Sequence, residues 1–115
     1  SGFGHRFHKP VDPRAPRLMA LVRDAAQAGT VSGRYGNIGE AVQANLSARK
    51  PLAMNIDGAT AVIFCELGFP APLSRGLFCL SRSVGILSHA WEQMQQGGRN
   101  KGPMPPAYLP KYDKV

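Results

Sequence analysis

A chain of 115 residues has room for one domain at most, burying roughly two-thirds of its unfolded surface. Its two cysteines, Cys65 and Cys79, lie in apolar helical patterns without a Cys-x-x-Cys pair, so buried free thiols are expected in place of a disulfide or zinc site. The net charge of +7 asks for an anionic partner, but the basic residues are scattered and no aromatic ladder runs between them, which disfavours nucleic acid.

No charged-then-apolar leader opens the chain. Its longest apolar run, 76–91, is interrupted by Arg82 and ends too soon to span a membrane, so the expectation is a cytoplasmic protein with no membrane partner. The first segment, Gly2-Phe3-Gly4-His5-Arg6-Phe7-His8-Lys9-Pro10-Val11-Asp12-Pro13-Arg14, has a composition for gripping an anion. Glycines leave the backbone bare, prolines stiffen it, His5 can exchange a proton near neutral pH, and Arg14 offers a planar fork suited to a carboxylate. The plainer alternative is a Gly/Pro-rich surface loop with an ordinary histidine. His5 and His8 supply only two ligands, and no further His or Cys is spaced to join them, so no metal is expected.

A first helix is predicted from Arg14-Ala15-Pro16 onward, with Leu18, Leu21, Val22 and Ala25 on one buried face and Gly29 as its stop. After a turn over 30–35, a second helix is predicted over about 36–49 with Ile38, Val42 and Leu46 inward; Pro51 ends it. Residues 52–56 read as an extended connector that delivers Asp57 to a third helix reaching Leu67. On the residues alone, Asp57 there reads more simply as an N-cap than as a catalytic group.

Residues 68–72 break the pattern, and a long fourth helix is predicted over 72–96, closed by Gly97-Gly98. It is apolar around most of its circumference between Leu77 and Trp91, which calls for protein on several sides. His89 is expected there as a packed, hydrogen-bonded core residue. That helix, and the abrupt start at Ser1 against the glycine-rich loop, lead us to expect a fragment of a larger helical body. From Arg99 on, four prolines predict an extended tail. The expected fold class is all-α.

Three blocks carry a family resemblance. Gly2-Phe3-Gly4-His5 followed by Asp12-Pro13-Arg14 resembles the second-histidine motif of the citrate synthase family. Asn55-Ile56-Asp57-Gly58 resembles its catalytic-aspartate segment, and Arg82, within Leu80-Ser81-Arg82-Ser83-Val84-Gly85, sits where a substrate arginine follows on a long helix. The order is right and the blocks cover nearly the whole chain; the look is closest to bacterial citryl-CoA lyase and citrate synthase-like proteins.

The resemblance implies the C-terminal portion of that multi-helical fold. Residues 1–70 would be a small-domain segment with the catalytic loop and Asp57, and 71–115 a long helix and tail packing on a large domain. It implies chemistry that joins, or in the lyase branch splits, the carbon–carbon bond between acetyl-CoA and oxaloacetate. Asp57 would be the base, strengthened by desolvation, and His5 the acid, while an enol-stabilising histidine would lie on sequence ahead of Ser1. Arg14 and Arg82 would hold carboxylates, with Phe78 packed against the acid. Gly2, Phe3, Lys9 and Asn55 would hold coenzyme A, itself an anion that accounts for the positive charge.

The family's third arginine would fall at Gly102, so Arg99 or Lys101 is expected to substitute; the tail tips the reading toward lyase. A homodimer is implied, with acyl-CoA and oxaloacetate or citrate as partners. The alternative is a stand-alone coenzyme A or polyanion-binding module without catalysis.

Overall fold

The computed structural model describes residues 2–97, 102 and 105–108. Its described residues form four α-helices, α1 (Arg14–Gln27), α2 (Arg34–Ser47), α3 (Ile56–Glu66) and α4 (Ser74–Gln96), with 3-10 turns at Ala71–Leu73 and Pro106–Tyr108. Among them there is no strand, only an isolated antiparallel bridge between Phe3 and Met54. The all-α expectation holds. The expected tail lies largely outside the described residues. The chain divides within α4 into two compact units, Ser1–Phe78 and Cys79–Val115.

In the first unit α3 packs on both α1 and α2, and the core is Ala15, Met19, Val22, Met54, Ala59 and Val62. The inward face of α1 is therefore rotated from the predicted one. Ala15, Met19 and Val22 are buried, Leu18 packs partly against the core, and Leu21 is 56% exposed. Small Ala15 wins the inside place because α1 lies close against its neighbours.

The correction on α2 is larger. Its buried residues are Gly36 and Gly39, while Ile38 and Val42 are exposed and Leu46 half-buried. A Cβ on Gly39 would stand 2.9 Å from both Met54 Cε and Val62 Cγ2. The helices thus approach through absent side chains, which a search for large apolar residues overlooks.

The start of α2 is held from another helix. Gly33, at the N-cap, gives no side-chain bond. The Glu66 carboxylate at the end of α3 accepts instead from Gly33 N (3.0 Å), Tyr35 N (2.7 Å), Gly36 N (3.0 Å) and Ser32 Oγ (2.9 Å). The three N–H groups are otherwise orphaned donors of a helix start, and a carboxylate at that end also suits the helix dipole. Gln43 of α2 likewise reaches over to accept from Met54 N at 2.6 Å, fixing the extended connector as predicted.

In the second unit α4 carries no buried residue. Leu80 is 69% and Leu87 71% exposed, so the cover its apolar surface asks for is not supplied by the described residues. Two expectations change. Cys79 is exposed and Cys65 half-buried, both free. His89 is exposed too, facing Glu92 at 3.6 Å along the same helix. No helix among the described residues is long and apolar enough to cross a membrane.

Candidate functional site

The glycine-rich loop is sewn onto the connector ahead of α3. Gly4 N donates to Ala53 O (2.7 Å), Asn55 N to Gly2 O (3.0 Å), and Asn55 Nδ2 to Gly4 O (2.6 Å). The same Asn55 accepts from Asp57 N (3.0 Å) and Gly58 N (3.2 Å), so the N-cap of α3 is Asn55. Asp57 is not the cap. It stands in the first turn, exposed, and the desolvation wanted of a base is not supplied by the described residues. The buried Asn55 side chain is spent on the cap and the loop; any contact from it to coenzyme A would have to share those atoms.

Gly58 makes the close approach of loop and helix possible. A Cβ there would run into the Gly2 carbonyl oxygen, which is backbone, and lie 2.8 Å from Met54 Cγ. Gly58→Ala is expected to cost about 1–3 kcal/mol by overpacking, although alanine is the better helix former. Urea unfolding of the chain measures it; an unchanged midpoint would mean that the loop does not sit against α3.

His5 is half-buried, and its Nδ1 accepts from Phe7 N (3.1 Å) and His8 N (2.9 Å). With Nδ1 an acceptor, the ring proton is assigned to Nε2. That Nε2 lies 3.4 Å from Arg14 Nη2. Arg14 is in turn forked onto Asp12, Nε to Oδ1 and Nη2 to Oδ2, each at 2.9 Å. The Arg14 hydrogen bond holds the Asp12 carboxyl far below the usual carboxylate range, with burial opposing and the Arg14 and Ile56 backbone N–H groups assisting. Arg14 is held all the more firmly as a cation, first by Asp12 and also by the charge of Asp57.

His5, Arg14 and Asp57 therefore gather where the loop meets the start of α3. Asp57 is shared by two openings. One, of about 350 Å³, runs past Gly2, Phe3, Ile38, Val42 and Cys65; the other, of about 410 Å³, is bounded by Thr60, Phe64, Arg75 and Phe78. Ile38 and Val42, expected inward as core, line the first. Lys9 is exposed on the loop. Arg82 is exposed in the second unit, in a cleft with Ile86 and His89. Arg99 and Lys101 lie outside the described residues. No group of three or more potential metal ligands occurs among the described residues.

Sequence reasoning passed over Asp12 and Glu66. An acid two residues before an arginine, with proline between, signals the Asp12 pair. A single acid ending an apolar helix is the only trace of Glu66.

The family described as "Citrate synthase, C-terminal domain" matches residues 1–103. Among curated relatives, a citrate synthase of Saccharolobus solfataricus is 32% identical over 101 residues, covering 85% of this chain and 27% of its own. One of Acidithiobacillus ferridurans is 34% identical over 99 residues, covering 81% and 25%. Citrate synthase 1 of Mycobacterium tuberculosis is 35% identical over 106 residues, covering 87% and 24%. The chain thus spans about a quarter of the length of these relatives. No solved structure matches it.

Proposed function

This chain belongs to the citrate synthase family, and from that premise we propose that it supplies the acid, the base and a carboxylate clamp to an enzyme that joins acetyl-CoA to oxaloacetate. The observation that carries the proposal is the 3.4 Å between His5 Nε2 and Arg14 Nη2. Oxaloacetate has a carboxylate directly bonded to its ketone carbon. Two donors side by side suit such a pair of neighbouring oxygens, Arg14 taking the carboxylate and His5 the ketone.

Asp57 removes a proton from the methyl carbon of acetyl-CoA. The resulting carbon nucleophile attacks the ketone carbon, and the Nε2 proton of His5 passes to the oxygen that develops charge, giving citryl-CoA. By microscopic reversibility the same residues split citryl-CoA, with His5 taking the proton back from the hydroxyl and Asp57 returning one to the departing carbon. The relatives' names favour condensation, and the tail string over 97–103, which resembles that of bacterial citryl-CoA lyase-type proteins, favours cleavage.

Arg82 and Phe78 belong to the acid's site in this reading, with Arg99 or Lys101 completing it. Gly2, Phe3, Lys9 and Asn55 belong to that of coenzyme A, and the enzyme is a cytoplasmic homodimer. Purified enzyme is tested with acetyl-CoA plus oxaloacetate for release of coenzyme A thiol, and with citryl-CoA for appearance of oxaloacetate. Turnover in either direction supports the proposal. Acyl-CoA binding with no turnover in either would leave a binding module.

A further inference from the structure

Asp12 is 2% exposed, and all of its acceptor capacity is used within one small region. Oδ1 accepts from Arg14 N (3.1 Å) and Arg14 Nε (2.9 Å), and Oδ2 from Arg14 Nη2 (2.9 Å) and Ile56 N (3.0 Å). Arg14 reaches His5, whereas Ile56 is the first residue of α3 and the neighbour of Asp57. One buried carboxylate therefore touches both the segment that presents the acid and the helix that presents the base. Here the two partners lie on segments whose separation the chemistry depends on, since displacement of a reacting group by about 1 Å costs on the order of a hundredfold in rate.

We infer that Asp12 is a positioning residue: its carboxylate locks Arg14 beside His5 and, through the Ile56 N–H, ties that cluster at a fixed distance from Asp57. The inference rests on the proposed roles of His5, Arg14 and Asp57. Asp12→Asn is the informative change because it keeps shape and volume. In either orientation of the amide, its NH2 group faces two of the four donors, so either the Arg14 N and Nε pair or the Arg14 Nη2 and Ile56 N pair must let go.

The test has two arms. In the 15N-labelled 115-residue chain, the Asp12→Asn variant is expected to keep the helical circular-dichroism signal of the unsubstituted chain. It should lose exchange protection either at the Arg14 Nε–H or at the Ile56 amide. In the enzyme, kcat/KM is expected to fall about a hundredfold, with the KM for oxaloacetate raised and that for acetyl-CoA unchanged. A purely structural defect would lower the amount of folded enzyme without moving one KM and sparing the other.

Both proton signals keeping their protection in the variant would overturn the inference, as would wild-type kcat and KM in a variant that has lost one of them. If the unsubstituted enzyme turns over in neither direction, the proposed function has failed. The two proton signals then still decide whether Asp12 holds both segments.

Discussion

Asp57→Asn in the enzyme is expected to lower kcat by about two to four powers of ten while lowering the thermal midpoint by no more than a few degrees. The rate loss follows from the chemistry: an amide cannot accept the proton of a carbon acid, and nothing else on the first turn of α3 can replace it. The small loss of stability follows from the structure. Asn55 holds the Asp57 and Gly58 N–H groups, so the cap survives whatever stands at position 57. The Asp57 side chain makes no hydrogen bond or ion pair among the described residues, so what is lost is a carboxylate's attraction to the helix start, about 0.3–1 kcal/mol at an exposed site, and to the nearby Arg14. kcat and melting temperature measured on the same preparation are the check. A folded variant with full activity would remove Asp57 from the reaction and leave His5 without its counterpart.

Glu66→Ala is expected to be the most damaging single change to stability among the polar residues. Four donors converge on that carboxylate from the turn and first residues of α2, and alanine leaves them only such water as can reach them. A loss of about 2–3 kcal/mol is expected for charged hydrogen bonds of this kind, or on the order of 10–20 °C in midpoint for a unit of this size. Glu66→Gln should lie between, because one acceptor oxygen remains.

The same carboxylate predicts acid lability. Burial pushes its proton affinity up, but the Gly36 N–H, the Ser32 hydroxyl and the Tyr35 and Gly33 N–H groups together outweigh burial. The net result lies below the ordinary value of 4.5. Asp12 is displaced in the same direction from 3.8. The unfolded chain therefore takes up protons first. The stabilisation is full above the ordinary carboxylate values and drains away as pH falls through them toward the lowered native ones. Urea midpoints measured from pH 6 downward should decline through the range around pH 4. Glu66→Ala should flatten that decline, and an equally steep decline in the variant would show that Glu66 is not its source.

Much of this was legible in the chain. The four helices and their breaks follow from Gly29, Pro51, the Gly68–Pro72 stretch and Gly97, because whether a backbone continues or ends a helix is settled within a few residues. The three blocks that resemble the citrate synthase family are local strings too, and they marked His5, Arg14 and Asp57 before any contact was known.

What lies across the fold was not legible. The inward face of α2 runs through Gly36 and Gly39, where the useful property is a missing side chain. Asn55 and Asp57 are both good caps on paper, and only the loop docked at Gly2 and Gly4 decides which one turns its oxygen to the helix. Glu66 looks like a stray acid until α2 arrives at it, and Asp12 like a turn residue until the start of α3 does. The sequence by itself determined the helices and the residues able to do chemistry, because propensity and side-chain chemistry are properties of short segments. Only the tertiary structure decided that Glu66 holds the start of α2 and that Asp12 holds Ile56 as well as Arg14, because those bonds join groups tens of residues apart and exist only when packing has brought both partners together.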